Sequence, residues 1–189
     1  MIEIIPAILA HSAKDFEEKL RLVETECKTV QVDILDGTMF ANTSWFDVSH
    51  ISALKTNLAY ELHIMAENPI PIIEEWKEKI PTLKRVIIHS EIDRQLGTVI
   101  DHLKEHLKLE VGIALNPATP IEEIRDVIER IDQITLMGVH PGTSGQSFEG
   151  DYLLDKIKRI HRLYPAISLE IDGGVTKELI PALVDAGIT

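Results

Sequence analysis

A chain of 189 residues that is 44% hydrophobic and 26% charged can bury a core of its own and is too apolar to remain disordered. Its formal net charge of −12 repels phosphodiester backbones and anionic lipid, and without a long Lys/Arg cluster this argues against nucleic-acid and membrane roles. A small phosphorylated ligand is not excluded, because backbone N–H groups hold phosphate without a basic surface.

Short runs rich in Ile, Val and Leu alternate with segments of helical periodicity along the whole chain. In order, the pattern predicts strand 4–9 then helix 13–26, strand 29–35 then helix 46–56, strand 59–65 then helix 70–79, and strand 85–89 then helix 94–106. Strand 110–115 then precedes helix 120–130, strand 133–139 precedes helix 152–163, and strand 168–172 precedes helix 177–186. Thr119 is a hydroxyl N-cap candidate with Pro120 at the first helical position, and Gly187 stops the last helix. One domain over 1–189 is expected. The lone Cys27 allows no internal disulfide, the first residues lack a basic-then-apolar leader, and no apolar run approaches a membrane span, so a cytoplasmic setting is expected.

Repeated βα units suit either a doubly wound open sheet or a closed (β/α)8 barrel. Polar residues fall at the C-terminal ends of strands throughout, whereas an open sheet concentrates its site at one switch point, so the barrel is favoured. The chain stops where an eighth strand would begin, so the expectation is a barrel with its eighth βα unit missing and the chain truncated there. Bare first and last strands are expected to self-associate or misfold, which makes a homo-oligomer one expectation.

Residues two apart on a strand share a face, so Gln31, Asp33 and Leu35 point one way, as do Glu61, His63 and Met65, Thr135 and Met137, and Glu170 and Asp172. Buried carboxylates converging with an imidazole call for a cation, and the donor set suits Zn, Fe, Mn or Co. The bland alternatives are a structural cap for Asp33 and a satisfied core histidine for His63. Gly142, Gly145, Gly173 and Gly174 follow the sixth and seventh strands, where they form either a phosphate site or ligand-free turns.

Val32-Asp33-Ile34-Leu35-Asp36-Gly37, Leu62-His63-Ile64-Met65 with Glu67-Asn68-Pro69, Gly112 to Pro120, Met137-Gly138-Val139-His140-Pro141-Gly142 with Gly145-Gln146, and Glu170-Ile171-Asp172-Gly173-Gly174-Val175 occur in this order. Together they resemble the ribulose-phosphate 3-epimerase family. The resemblance implies a TIM barrel of the ribulose-phosphate-binding type and a metal-dependent epimerisation at C3 of a ketose phosphate through an enediolate. It implies Asp33 and Asp172 as the acid/base pair, and Asp33, His63 and Asp172 as ligands of a divalent metal, with Gln31 at a fourth ligand position. It also implies His63, Met65, Met137, Gly142, Gly145, Gln146, Gly173 and Gly174 on the substrate side.

The chain departs from the pattern at several points. Gln31 stands where the family has a metal-binding histidine, and a glutamine oxygen is a weaker ligand for a zinc-type ion. Ala7 and Ala10 replace serines, Leu35 a methionine and Ser144 a loop glycine. A catalytically impaired sugar-phosphate binder and an epimerase of a ketohexose 6-phosphate are therefore the alternatives. A decarboxylase of the related superfamily would need Asp-x-Lys-x-x-Asp, and Asp33 is followed by Ile34-Leu35 with no lysine. His89 and Glu91, after the fourth strand, read as loop support, and His102-Leu103-Lys104-Glu105-His106 as an outer helix face despite its H-x-x-E-H spacing.

Overall fold

Runs of branched apolar residues form seven parallel strands: β1 (Ala7–Ile8), β2 (Thr29–Leu35), β3 (Ala59–Met65), β4 (Leu83–His89), β5 (Glu110–Leu115), β6 (Gln133–Met137) and β7 (Ser168–Asp172). The structure is a computed structural model and describes residues 2–143 and 145–189. The helices are α1 (Ala13–Val23), α2 (Val48–Ala53), α3 (Pro69–Lys79), α4 (Leu96–Asp101, continued by a π turn over His102–His106), α5 (Asp151–Leu163) and α6 (Ile180–Ala186).

Strand order in the sheet equals chain order, from β1 to β7. Side chains of β2 and β3 reach across to β7, so the sheet curls into a partial barrel with its helices outside. This is the expected (β/α)8 class with seven of its units present, and among the described residues no strand lies between β7 and β1. Thr189 alone meets the outer edge of β7, its N–H donating to the Leu169 carbonyl at 3.0 Å.

The alternation predicted from sequence sorts the two faces. Val32, Ile34, Leu62 and Ile64 point outward and pack with Phe16, Leu20, Ile73, Trp76 and Ile157 in one large apolar layer. Inside the curl only Ile87, Ala114 and Met137 form a small apolar cluster, and the rest of the inner face is largely polar. The outer faces of the strands thus build the main apolar layer, and the inner faces carry most of the buried polar side chains.

Two elements differ from expectation. The first strand shrinks to Ala7–Ile8, because Pro6 has no N–H to give and β2 is its only partner. The helix predicted over 120–130 is instead two 3-10 turns, Ile121–Ile124 and Ile128–Arg130. Thr119 does not cap it: its hydroxyl donates to Glu91. Gly187 does end α6, in the left-handed conformation at φ 117°.

Candidate active site

Asp33 and His63 are Cα partners in the β2–β3 register, and Asp172 ends β7, so strand pairing alone brings the three to one end of the barrel. His63 Nδ1 lies 3.0 Å from Asp172 Oδ2 and 3.5 Å from Asp33 Oδ1. One potential ligand atom from each residue lies within 4.8 Å of the others. His63 is 1% exposed, and the two carboxylates keep 16% and 19% of their side-chain surface open to the mouth.

The cluster fits a divalent cation. Neither carboxylate oxygen is aligned to form a good hydrogen bond with His63 Nδ1, so that buried nitrogen has proximity without a partner. Burial opposes a charged ring at His63, yet the neighbouring Asp172 and Asp33 carboxylates push its pKa up to about 10. Burial also acts against the charge on Asp172, but His63 and Gln31 hold its carboxyl below the usual range. The geometry thus stabilises positive charge at Nδ1, where an imidazole lone pair and two carboxylates suit Zn, Fe, Mn or Co.

Gln31 enters the same cluster from one step further down β2. Its Nε2 donates to Asp33 Oδ1 and to Asp172 Oδ2, both at 2.9 Å, so amide hydrogens rather than the ligating oxygen face the carboxylates. Behind His63 stands His89, the last residue of β4, with the two Nε2 atoms 2.9 Å apart. His89 Nδ1 lies 3.3 Å from Glu91 Oε2. Glu91 supports a loop as expected, accepting from the Asn116 N–H and the Thr119 hydroxyl. The place of His89 behind His63 is not legible in the sequence, because it depends on pairing across 26 residues.

Below this layer the inner face carries a second set of charges. Arg85 donates to Glu61 Oε2 and to Glu110 Oε2, each at 2.8 Å. Glu170 accepts from Gln133 Nε2 at 3.0 Å and from the Thr135 hydroxyl at 3.2 Å. Burial, with Glu61 and Asp172 nearby, holds the Glu170 carboxyl well above the usual carboxylate range, and burial raises Glu61 despite Arg85. These groups form a polar floor under the site.

Above the carboxylates opens a cavity of about 210 Å³. Every residue expected on the substrate side lines it: His63, Met65, Met137, Gly142, Gly145, Gln146, Gly173 and Gly174. The glycine rim needs glycine, since Gly173 at φ 94° would place a Cβ 2.5 Å from Val139, and Gly174 at φ 69° would place one 2.5 Å from the Phe148 backbone. Asn42 Nδ2 donates to the Gly142 carbonyl at 2.8 Å, tying the loop after β2 to the loop after β6. Gln146 Nε2 donates to the carbonyls of His140 and Thr143 at 2.6 and 3.0 Å. Ala7 and Leu9 line the opening, whereas Ala10, where the resemblance implies a lost hydrogen bond to the sugar, is buried in the large apolar layer and does not line it. Ser144 lies outside the described residues.

The H-x-x-E-H segment gathers no site. His102 Nε2 pairs with Glu74 Oε1 at 2.9 Å on the outer surface, and among the described residues Asp33, His63 and Asp172 are the group with metal-binding proximity. Among the described residues no helix is long and apolar enough to cross a membrane.

Comparison with known proteins bears on this arrangement. The profile of the "Ribulose-phosphate 3 epimerase family" matches residues 3–189. A ribulose-phosphate 3-epimerase of Bacillus subtilis is 29% identical over 99% of this chain and 88% of its own length. One from Schizosaccharomyces pombe is 27% identical over 98% of this chain and 82% of its own. Among solved structures, a chain of the tryptophan synthase complex from Pyrococcus furiosus superposes with a TM-score of 0.64 at 14% identity, over 98% of this chain and 84% of that one. That likeness shows the fold alone.

Proposed function

The chain belongs to the ribulose-phosphate 3-epimerase family, and on that premise we propose that it epimerises C3 of a ketose phosphate, interconverting D-ribulose 5-phosphate and D-xylulose 5-phosphate. It is an isomerase of the carbohydrate-acting kind. The observation that carries the reading is the meeting of Asp33, His63 and Asp172 at the base of a glycine-rimmed cavity.

Inversion at a carbon beside a ketone needs one group to remove a proton from one face and another to return a proton on the other. Asp33 and Asp172, contributed by strands at opposite ends of the sheet order, are the two groups for this. Asp33, His63 Nδ1 and Asp172 would hold a divalent cation, which when bound supplies the positive charge that stabilises the enediolate oxygens. Gln31 restrains both carboxylates through its two amide hydrogens, so neither swings away between proton transfers. Met65 and Met137 offer apolar surface without exchangeable protons, which keeps the carbanion-like carbon from exchanging with water. Among the described residues no lysine or arginine lines the cavity, so a phosphate would rest on the backbone N–H groups of the Gly142, Gly145, Gly173 and Gly174 turns, with Gln146 beside them.

A second reading has its own observation. The Gln31 amide hydrogens and a charged His63 can between them offer hydrogen bonds and one positive charge to the two aspartates with no cation present, which would suit a protein that binds sugar phosphates without turning them over. A ketohexose 6-phosphate is the alternative substrate. A cytoplasmic setting accords with Cys27, a lone, half-buried thiol that donates to the Val23 carbonyl and whose pKa burial raises.

Turnover of D-ribulose 5-phosphate by the full chain, with and without Zn²⁺, Fe²⁺, Mn²⁺ or Co²⁺, decides between them. Metal-dependent turnover that falls about 10²- to 10⁴-fold in Asp33→Asn and in Asp172→Asn is the expected result. Folded protein that no metal activates would sink the pentose-phosphate epimerase reading.

A further inference from the structure

A histidine offers two nitrogens, and only a neutral ring with its proton on the far nitrogen presents a lone pair to a cation. We infer that Glu91 and His89 are positioning residues that hold the His63 proton on Nε2, so that Nδ1 is presented to the Asp33–Asp172 cluster as a ligand. This rests on the metal site proposed above.

The assignment follows from counting protons along an unbroken line. Glu91 Oε1 accepts the Asn116 N–H at 3.0 Å and the Thr119 hydroxyl, while Oε2 faces His89 Nδ1 at 3.3 Å. An ionised carboxylate only accepts, so His89 Nδ1 carries the hydrogen. His89 is buried, and its Nε2 is then a lone pair. The Nε2–Nε2 contact of 2.9 Å needs one donor, and that donor is His63. When the His63 ring is neutral, as ligation of a cation requires, its lone pair is left on Nδ1, the buried atom with no aligned partner.

The line is anchored at its outer end as well. Lys156 Nζ, on α5, donates to the carbonyls of Asn116, Pro117 and Thr119 at 3.0, 3.1 and 2.6 Å, which pins the loop that supplies both donors to Glu91. Burial lowers the Lys156 pKa to about 8, so the ammonium and its three bonds persist at neutral pH. Phe40 packs edge-on against the His89 ring at 5.6 Å, restricting its rotation.

Glu91→Gln tests this because it keeps size and shape while reversing one donor. The glutamine oxygen keeps the two loop bonds, its Nε2–H then faces His89 Nδ1, and every proton in the line must move one place. In the full chain we expect His89 to carry its hydrogen on Nδ1 in the wild type and on Nε2 in Glu91→Gln, read from nitrogen-15 imidazole shifts. Co²⁺ and Zn²⁺ affinity, measured by competition with a chromophoric chelator, should fall about 10- to 100-fold, with a changed Co²⁺ absorption spectrum. Unchanged affinity and spectrum in folded Glu91→Gln would overturn the inference. If the wild type binds neither ion, the metal reading fails separately, and a His89 proton that stays on Nδ1 in Glu91→Gln then overturns the positioning role. If the variant does not fold, a wild-type His89 protonated on Nε2 alone does so.

Discussion

Glu91 carries a second consequence, for stability. Burial acts against its charge, but His89, Thr119 and the Asn116 N–H together pull its pKa to about 2 from 4.5. A carboxyl whose folded pKa is depressed contributes stability that is fully present above the unfolded value and disappears as pH falls through the folded one. The expected contribution is up to about 3 kcal/mol, present above pH 4.5 and lost between pH 4.5 and 2. Urea unfolding of wild type and Glu91→Gln across that window checks it: the wild-type advantage should shrink steadily as pH falls. A constant difference would mean that the charge is not what stabilises. At this scale the sequence was legible where chemistry follows from alternation, as for Asp33, His63 and Asp172. It was silent where a role depends on a contact across the sheet, as for the Gln31 amide hydrogens on both carboxylates and the His63–His89 contact.

At the level of elements, β2, β3, β5 and β7 match their predicted limits because each is a run of apolar residues ended by a polar group or a turn. The failures have local causes. The apolar periodicity over 120–130 is real, and Ile121, Ile124 and Ile128 are buried, but a 3-10 winding buries them equally well once the Thr119 hydroxyl is committed to Glu91. The close approach of β6 and β7 is another feature that periodicity hides. A Cβ on Gly138 would lie 2.1 Å from the Gly173 carbonyl oxygen, and the Gly138 N–H already bonds the Asp172 carbonyl at 2.6 Å. Gly138→Ala should therefore force the strand ends apart, cost about 1–3 kcal/mol in urea unfolding, and lower turnover in samples that are still fully folded. Normal turnover would show that the glycine rim tolerates such a shift.

For the whole molecule, protection is expected to be uneven. Strands β2 to β6 are paired on both sides, whereas β1 has two residues and one partner and β7 meets only Thr189 beyond β6. Native-state hydrogen exchange should rank the amides of β3 and β4 slowest and those of β1 and β7 fastest. Equal protection of β1 and β4 would mean that the free edges are covered, for example by a second copy of the chain. The formal charge of −12 includes the acids of the inner face, where Arg85 pairs with Glu61 and Glu110 while Asp33 and Asp172 meet at the mouth, so the site shares the acidic character of the chain.

The contact between Gln31 and Asp172 joins residues 141 positions apart, while every strand pairs only with its sequence neighbours. A chain emerging from the ribosome can thus zip up its sheet one unit at a time, and most of that zipper forms with the site still absent. Asp33 and His63 can be paired early, but their carboxylate partner Asp172 arrives only with β7. A chain that has not yet added β7 therefore carries the sheet but not the complete cluster.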